Sequence, residues 1–546
     1  MRIPSLVLVP TALAFFGWAD PVRAADPAVV APVKTCADLK TLDLSRGGDV
    51  AVRIDSADEI KDGARTFCAV KGYVQPQVNF EVRLPLANWS QRYLQLGCGG
   101  YCGGVSLTVP SAARQSRGCA PVEDGTMVVA SSDLGHRRAG TFFADGVWAI
   151  GNPAAVVEFA YAANHKTALA AKALIRAFYG QPPRYSYFNG CSDGGRQGLV
   201  EAQRFPEDFD GIVAGSTTLD VTTTNTFWHA WNVRSNTGPD GKAILKASRI
   251  AVLHDAVMKA CAGADGLIAD PRACAFDVSS ILCKSEQSDA NCLTEPEASV
   301  ARRIWGGPVD ETGAHLFPGG MQFGSELGWI GSMVPKEDDL PQSPATSGDA
   351  MWSWDFPRFM SALGRVTETD YRNMAFTRAE FDRLTQLSTL YDPTNPDLAR
   401  FAQRGGKLVM WHGWADTGSS PRGSLNYAES VRALMGARAA SDFLSLYLVP
   451  GAYHCSAGPT PVAADYLSKV MAWVEEGLMP GEIKVGFEAG PNDATVTKTI
   501  GVQPYYATPA SLSAANRTDW VGLANYRPSV QTWCEWQGGS LVCRPR

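Results

Sequence analysis

The sequence predicts an α/β fold: a mostly parallel sheet covered by helices and interrupted by one large insertion. Three observations predict it. Apolar runs of strand length alternate with helical patterns over residues 79–215 and again over 406–476, the rhythm of consecutive βαβ units. A small-residue turn, Gly190-Cys191-Ser192-Asp193-Gly194, lies where one such strand runs into a helix. From 216 to 398 the alternation fades and tryptophans gather, which marks an inserted lid over the sheet edge. The chain has 546 residues, 45% hydrophobic and 19% charged, enough apolar material for a large core. A net charge of −6 argues against nucleic acid or an anionic membrane as partner. The 15 Trp and 16 Tyr suit a pocket for something flat and apolar.

The chain opens with Arg2 and an apolar run from Leu6 to Trp18, broken only by Pro10, Thr11 and Gly17, then Val22-Arg23-Ala24. This reads as a secretory signal over 1–24, cut after Ala24, and too short for a membrane span. The expectation is a secreted or periplasmic protein with a core in two parts, 25–215 and 399–546, flanking the lid at 216–398. Export permits disulfides, and there are thirteen cysteines. Cys36/Cys68, Cys261/Cys274, Cys283/Cys292 and Cys534/Cys543 read as local bridges. Cys98, Cys102 and Cys119 have no assigned pairing, and the odd count leaves at least one thiol free or intermolecular. No cysteine or histidine spacing suits zinc.

In chain order, Asn79–Leu86 alternates as a strand, and Arg92–Leu96 is another, running into Gly97-Cys98-Gly99-Gly100. A glycine cluster behind a strand is either an ordinary turn or a place where a backbone N–H is offered to an oxyanion. Thr126–Ala130 is a buried strand, and Phe159–Phe178 a helix ended by Gly180. Tyr185–Phe188 is the strand before the turn, and from Gly194 the residues Arg196, Gln197, Leu199, Val200, Glu201 and Ala202 form a helical series. Phe209–Gly215 is the next strand. In the insertion, Trp228, Trp231, Trp305, Trp329, Trp352 and Trp354 read first as its own core and second as substrate contacts. The sheet resumes with Gly406–Trp411 and Phe443–Val449, and Tyr466–Glu476 is an amphipathic helix. The tail from Gly501 reads as irregular.

A sharp strand-to-helix turn with glycines two before and two after Ser192 exposes its hydroxyl and frees the N–H of Asp193 as an oxyanion donor. A serine nucleophile needs a base, and the base a carboxylate to orient it. Of seven histidines, His165 and His254 lie in helical patterns and His229 and His315 in the insertion. His454 follows a late strand and Asp416 the strand before it, so Ser192, Asp416, His454 occur in the order the α/β-hydrolase fold imposes. His412 precedes the acid, the wrong order for the base. Cys191 directly precedes Ser192 and Cys455 directly follows His454. If those three side chains assemble, both thiols fall within bridging reach and close a loop worth roughly 5 kcal/mol.

The stretches SYFNGCSDGGRQGLVEAQRFPEDFDGIVAG, GGKLVMWHGWAD and LVPGAYHCSAGP resemble the tannase/feruloyl esterase family of α/β-hydrolases. The resemblance implies hydrolysis of esters between an aromatic acid and an alcohol, with a lid over the acid. It also implies the family's Cys-Ser…Asp…His-Cys arrangement at Cys191-Ser192, Asp416 and His454-Cys455, and a second oxyanion donor at Cys98 or Gly99. No cofactor is expected for catalysis. Family members commonly hold a structural calcium in a cysteine-flanked lid loop, whereas the shorter loop here, Cys261 to Cys274, keeps only Asp265 and Asp270 for a cation that wants six to eight oxygens. The family includes a hydrolase of mono(2-hydroxyethyl) terephthalate, which clamps the free carboxylate with an arginine shortly before a W-x-x-D-F. The like place in Asp349–Phe356 holds none, and only Arg358 or another basic residue could substitute. The expected partner is therefore a small aromatic ester. The alternatives are a terephthalate half-ester and, from another class, a non-catalytic aromatic-binding protein with separated triad side chains.

Overall fold

The computed structural model describes residues 27–44, 50–105, 107, 114–140, 143–284 and 290–505, and the backbone of 532–537 and 540–545. The predicted leader lies outside these residues. Nine strands form one sheet: β1 (Val52–Asp62), β2 (Arg65–Val74), β3 (Val78–Pro85), β4 (Arg92–Leu96), β5 (Val128–Ser132), β6 (Tyr185–Cys191), β7 (Gly211–Gly215), β8 (Lys407–Gly413) and β9 (Leu444–Val449). Their order is β1-β2-β3-β5-β4-β6-β7-β8-β9. The first three pairings are antiparallel and the five from β5 to β9 parallel, the mostly parallel sheet that the βαβ rhythm predicts.

Parallel strands covered on both faces read as unbroken apolar runs. Every residue of β4, β7 and β9 is accordingly buried. Helices α1 (Ala163–Tyr179), α2 (Asp193–Arg204), α3 (Pro421–Met435) and α4 (Leu467–Glu476) cover the sheet. A π-helical turn, Glu158–Ala162, precedes α1. The sequence shows one helix from Phe159 because a widened turn keeps the helical burial pattern. The register sets the site: Cys191 pairs with Gly215, Gly215 with Trp411, and Gly413 with Val449. The carboxyl ends of β6, β7, β8 and β9 therefore share one edge, and the loops that follow them emerge together.

Between β7 and β8 lies the inserted segment, built mainly of short helices around its own cluster of Trp228, Leu253, Ile304, Trp329 and Met333. Trp228 and Trp329 are wholly buried there, which favours the packing reading for those two. Strands β1 and β2 escape the sequence analysis because β1, VRIDSADEIKD, is an edge strand whose side chains are mostly solvated. The tail differs from expectation. Strands β10 (Val462–Ala463), β11 (Ile483–Gly490) and β12 (Asp493–Val502) make a small sheet, and β13 (Thr532–Gln537) pairs with β14 (Ser540–Pro545). Nearly every side chain of β12 faces water, so its hydrophobic alternation is lost while the ladder to β11 still forms.

Cys36–Cys68, Cys261–Cys274 and Cys283–Cys292 are bridged as paired from sequence. Cys98–Cys102 and Cys191–Cys455 are bridged too, and Cys119 is a buried free thiol that burial pushes up to about 12. Cys534 and Cys543 face each other in the β13–β14 register, and their side chains lie outside the described residues. Among the described residues, no helix is long and apolar enough to cross a membrane.

Candidate active site

Strand β6 ends at Cys191 and α2 begins at Asp193, so Ser192 must turn the chain by itself. It does so at φ 63°, ψ −124°, a conformation an L-residue holds only when its surroundings compel it. Glycine is required around it: a Cβ on Gly190 would stand 2.4 Å from the Gly194 carbonyl oxygen. Backbone bonds hold the turn. The Ser192 N–H donates to Gly215 (3.0 Å), and its carbonyl accepts from Arg196 (3.1 Å) and Thr218 (3.2 Å).

The β9 loop delivers His454, and its Nε2 lies 2.8 Å from Ser192 Oγ. Its Nδ1 lies 2.9 Å from each carboxylate oxygen of Asp416, which follows β8. Facing a carboxylate, Nδ1 carries the proton, which leaves the Nε2 lone pair to accept the serine hydroxyl. Asp416 Oδ1 also accepts the N–H groups of Gly418 (2.7 Å) and Ser419 (2.9 Å), while Oδ2 meets His412 Nε2 at 3.1 Å. Burial favours the protonated acid, but the His454 charge and the bonds from His412 and His454 outweigh it, and the carboxyl stays well below the usual range. His412 is wholly buried, bonded to Asp416, the Ser419 carbonyl and Ser424, whereas the Ser192 hydroxyl is met by His454. Such an arrangement can take a proton from Ser192 and return it to a leaving group.

Cys191 and Cys455 are bridged across 264 residues, with Cα atoms 5.8 Å apart. The histidine loop needs that tether, since Cys455 (φ 51°) and Ser456 (φ 62°) both occupy the left-handed region.

The oxyanion side departs in part from expectation. Asp193 opens α2, so its N–H has no carbonyl within the helix to meet. Cys98 does not keep a free N–H: it donates to Gln197 Oε1 at 3.2 Å, while Gln197 Nε2 returns a bond to the Cys98 carbonyl at 2.8 Å. Of the two positions expected, Gly99 is the one that is solvent-facing with an N–H that meets no acceptor among the described residues. The Gln197 carboxamide also donates to Asp193 Oδ2 at 2.6 Å. Arg196, wholly buried, holds Asp193 through Nε (2.5 Å) and donates to the carbonyls of Ala160, Phe159 and Tyr391. Two of those carbonyls lie in the π turn, where a shifted ladder leaves acceptors open. In sequence these two residues read only as helix formers. The signal available was their place, three and four residues beyond Asp193, one helical turn from it.

Asp265 and Asp270 do not form a cation site. Asp270 is neutralised by Arg272, bidentate at 2.9 and 2.6 Å, and Asp265 is exposed, its carboxylate accepting the Leu267 N–H and its carbonyl the Lys498 ammonium. A hard cation would find too few oxygens in this loop. Arg358 is likewise committed, 3.5 Å from Asp355 and lying over the rings of Trp354 and Phe359.

Fold and strand order define the chain as an α/β-hydrolase. The family model described as tannase and feruloyl esterase matches residues 63–517, and the chain belongs to that family; it is a carboxylic ester hydrolase. An uncharacterized esterase of Xanthomonas campestris pv. campestris is 30% identical over 91% of each chain. The mono(2-hydroxyethyl) terephthalate hydrolase of Piscinibacter sakaiensis is 30% identical over 74% of each. In three dimensions, feruloyl esterase B from Aspergillus oryzae superposes with a TM-score of 0.70 at 24% identity, covering 88% of this chain and 98% of that one.

Proposed function

We propose that the protein is an exported serine carboxylesterase of the feruloyl-esterase or tannase type, acting on esters of aromatic acids. The observation that carries the reading is the unbroken relay from Ser192 Oγ through His454 to Asp416, with contacts of 2.8 and 2.9 Å. His454 takes the Ser192 proton as the oxygen attacks the ester carbonyl. The N–H groups of Asp193 and Gly99 receive the oxyanion, and protonated His454 hands its proton to the departing alcohol. Water then attacks the acyl-enzyme with His454 again as base, releasing the acid and restoring Ser192.

The insertion, 216–398, serves as the lid over the aromatic acid. Its Trp352 supports this assignment: the ring packs 5.6 Å from Tyr101, beside the oxyanion loop, and Tyr101 Oη donates to the Trp352 carbonyl. Feruloyl and galloyl esters stand ahead of terephthalate half-esters, because Arg358 is tied to Asp355 and no arginine lies in the clamping place. A non-catalytic binding protein would leave the triad side chains apart, which the 2.8 Å contact disfavours. Five disulfides among the described residues support export, since such bridges persist in oxidising compartments. The test is initial-rate hydrolysis of methyl ferulate, methyl gallate and a terephthalate half-ester by wild type and Ser192→Ala. The first two esters should be cleaved faster, and retention of activity in the alanine variant would refute the mechanism.

A further inference from the structure

We propose that Gln197 is a positioning residue that ties the two oxyanion donors to each other, an inference that rests on the serine-esterase reading above. One side-chain carboxamide, 3% exposed, spans Asp193 and Cys98, the residue before Gly99. Its Nε2 donates to the Asp193 carboxylate (2.6 Å), and the backbone N–H of that same residue is the first donor. On the other side it meets both polar groups of the Cys98 backbone, accepting its N–H at 3.2 Å and donating to its carbonyl at 2.8 Å. With its neighbour's backbone pinned on both edges, the Gly99 N–H is the group left to point into the cleft.

Backbone bonds anchor the two ends of the glycine loop, the Gly97 N–H donating to Asn189 at 3.0 Å and the Tyr101 N–H to Phe143 at 2.9 Å, and Gln197 holds the residue between. Gly97 and Gly194 touch through their backbones, a Cβ on Gly97 falling 2.9 Å from Gly194 Cα. Asn164 Nδ2, at 3.0 Å, fixes the Gln197 oxygen in the orientation that accepts the Cys98 N–H rather than its flipped alternative. The Cys98–Cys102 bridge closes the far side of the loop, and the Cys102 N–H donates to the Gly99 carbonyl at 3.2 Å, while the Gly99 N–H belongs to the peptide whose carbonyl, that of Cys98, Gln197 holds. This bridge closes only four residues, a smaller constraint on the unfolded chain than a long loop gives, and its consequence for the site is local geometry. Donors act on the transition state only when aimed at the oxyanion in advance, and removing a single one typically lowers kcat by about 100- to 1,000-fold. Gln197 makes no hydrogen bond to Ser192, His454 or Asp416 among the described residues. Its effect passes through the Asp193 carboxylate and the Cys98 backbone that it holds.

The experiment compares Gln197→Met, which keeps the buried volume, and the pair Cys98→Ala/Cys102→Ala with wild type. It uses the full chain, with p-nitrophenyl acetate as an activated ester and phenylboronic acid as a probe that forms a tetrahedral adduct on the serine. Gln197→Met should lower kcat by roughly 100-fold, hold KM within about threefold, and weaken the boronic acid by a similar factor. The cysteine pair should lose about tenfold in kcat by the same split. A kcat within threefold of wild type in Gln197→Met overturns the proposal. So does a loss of kcat with boronic-acid affinity unchanged, which would make the residue merely structural. If Gln197→Met fails to fold, the cysteine pair decides by the same criteria. Ser192→Ala run in parallel separates the two readings: an active alanine variant refutes the nucleophile, whereas an inactive one beside a fully active Gln197→Met refutes this inference alone.

Discussion

Replacing Cys191 and Cys455 together by alanine removes the tether between the Ser192 turn and the His454 loop without burying a new hydroxyl. The loop it closes spans 264 residues. The chain-entropy relation then assigns the bridge about 5.6 kcal/mol at 25 °C. For a protein of 546 residues the unfolding entropy is about 1.1 kcal/mol per degree, so the melting temperature should fall by about 5 °C. The catalytic consequence has a separate origin. The His454 side chain is 28% exposed and is held by Asp416, Ser192 and contact with Gly418, so its position follows that of its loop. Besides the bridge, its loop is fixed by the Gln115 Nε2 bond to the Cys455 carbonyl (3.1 Å) and a long contact from the Cys455 N–H to Ser216 Oγ (3.4 Å). Two consecutive residues at positive φ would relax once the tether is cut. A displacement of about 1 Å at the Ser192–His454 contact costs on the order of 100-fold, so kcat should drop by about 10- to 100-fold. Calorimetry gives the melting shift, and initial rates on methyl ferulate at 25 °C, where the variant stays folded, give kcat. A normal kcat alongside the expected melting shift would refute the positioning argument and leave the bridge a constraint on the unfolded chain alone.

Two further outcomes follow from the buried histidines. His136 stacks on Trp148 at 3.7 Å, and burial lowers it to about 4 despite bonds to the Tyr101 and Leu134 carbonyls. Because the unfolded chain binds its proton near 6.5 and the fold does not until about 4, stability should be full above pH 6.5 and fall by about 3 kcal/mol as pH drops to 4; urea melts across that range should show a flatter slope for His136→Gln, and an unchanged slope would refute the assignment. His412→Phe removes one of the donors to Asp416 and should lower kcat about tenfold with KM little changed; a kcat within twofold of wild type would show that the backbone N–H groups and His454 suffice to hold the acid.

How much was legible follows from the range over which each feature is decided. The strand, turn and helix of 185–204 are written locally: aromatic and apolar residues, then glycines two before and two after Ser192, then helix formers. The parallel strands are legible for a related reason, since burial on both faces leaves unbroken apolar runs. Strands β1 and β12 are not, because each presents mostly solvated side chains and owes its conformation to the ladder of a neighbour. Asp265 and Asp270 were recognisable as too few for calcium, but not as an Arg272 partner and an exposed turn.

The amino-acid sequence by itself determined the α/β class, the elbow at Ser192 and the chain order of Ser192, Asp416 and His454. Each depends on residues adjacent in sequence, or on the order in which strands occur. Tertiary structure alone decided which N–H of the glycine loop stays free. Cys98 and Gly99 are indistinguishable in their own segment, and the choice is made by the carboxamide of Gln197, 99 residues further on, which takes one N–H and leaves the other. A hydrogen bond is settled at about 3 Å in space, and nothing in the spacing of a sequence reports that distance.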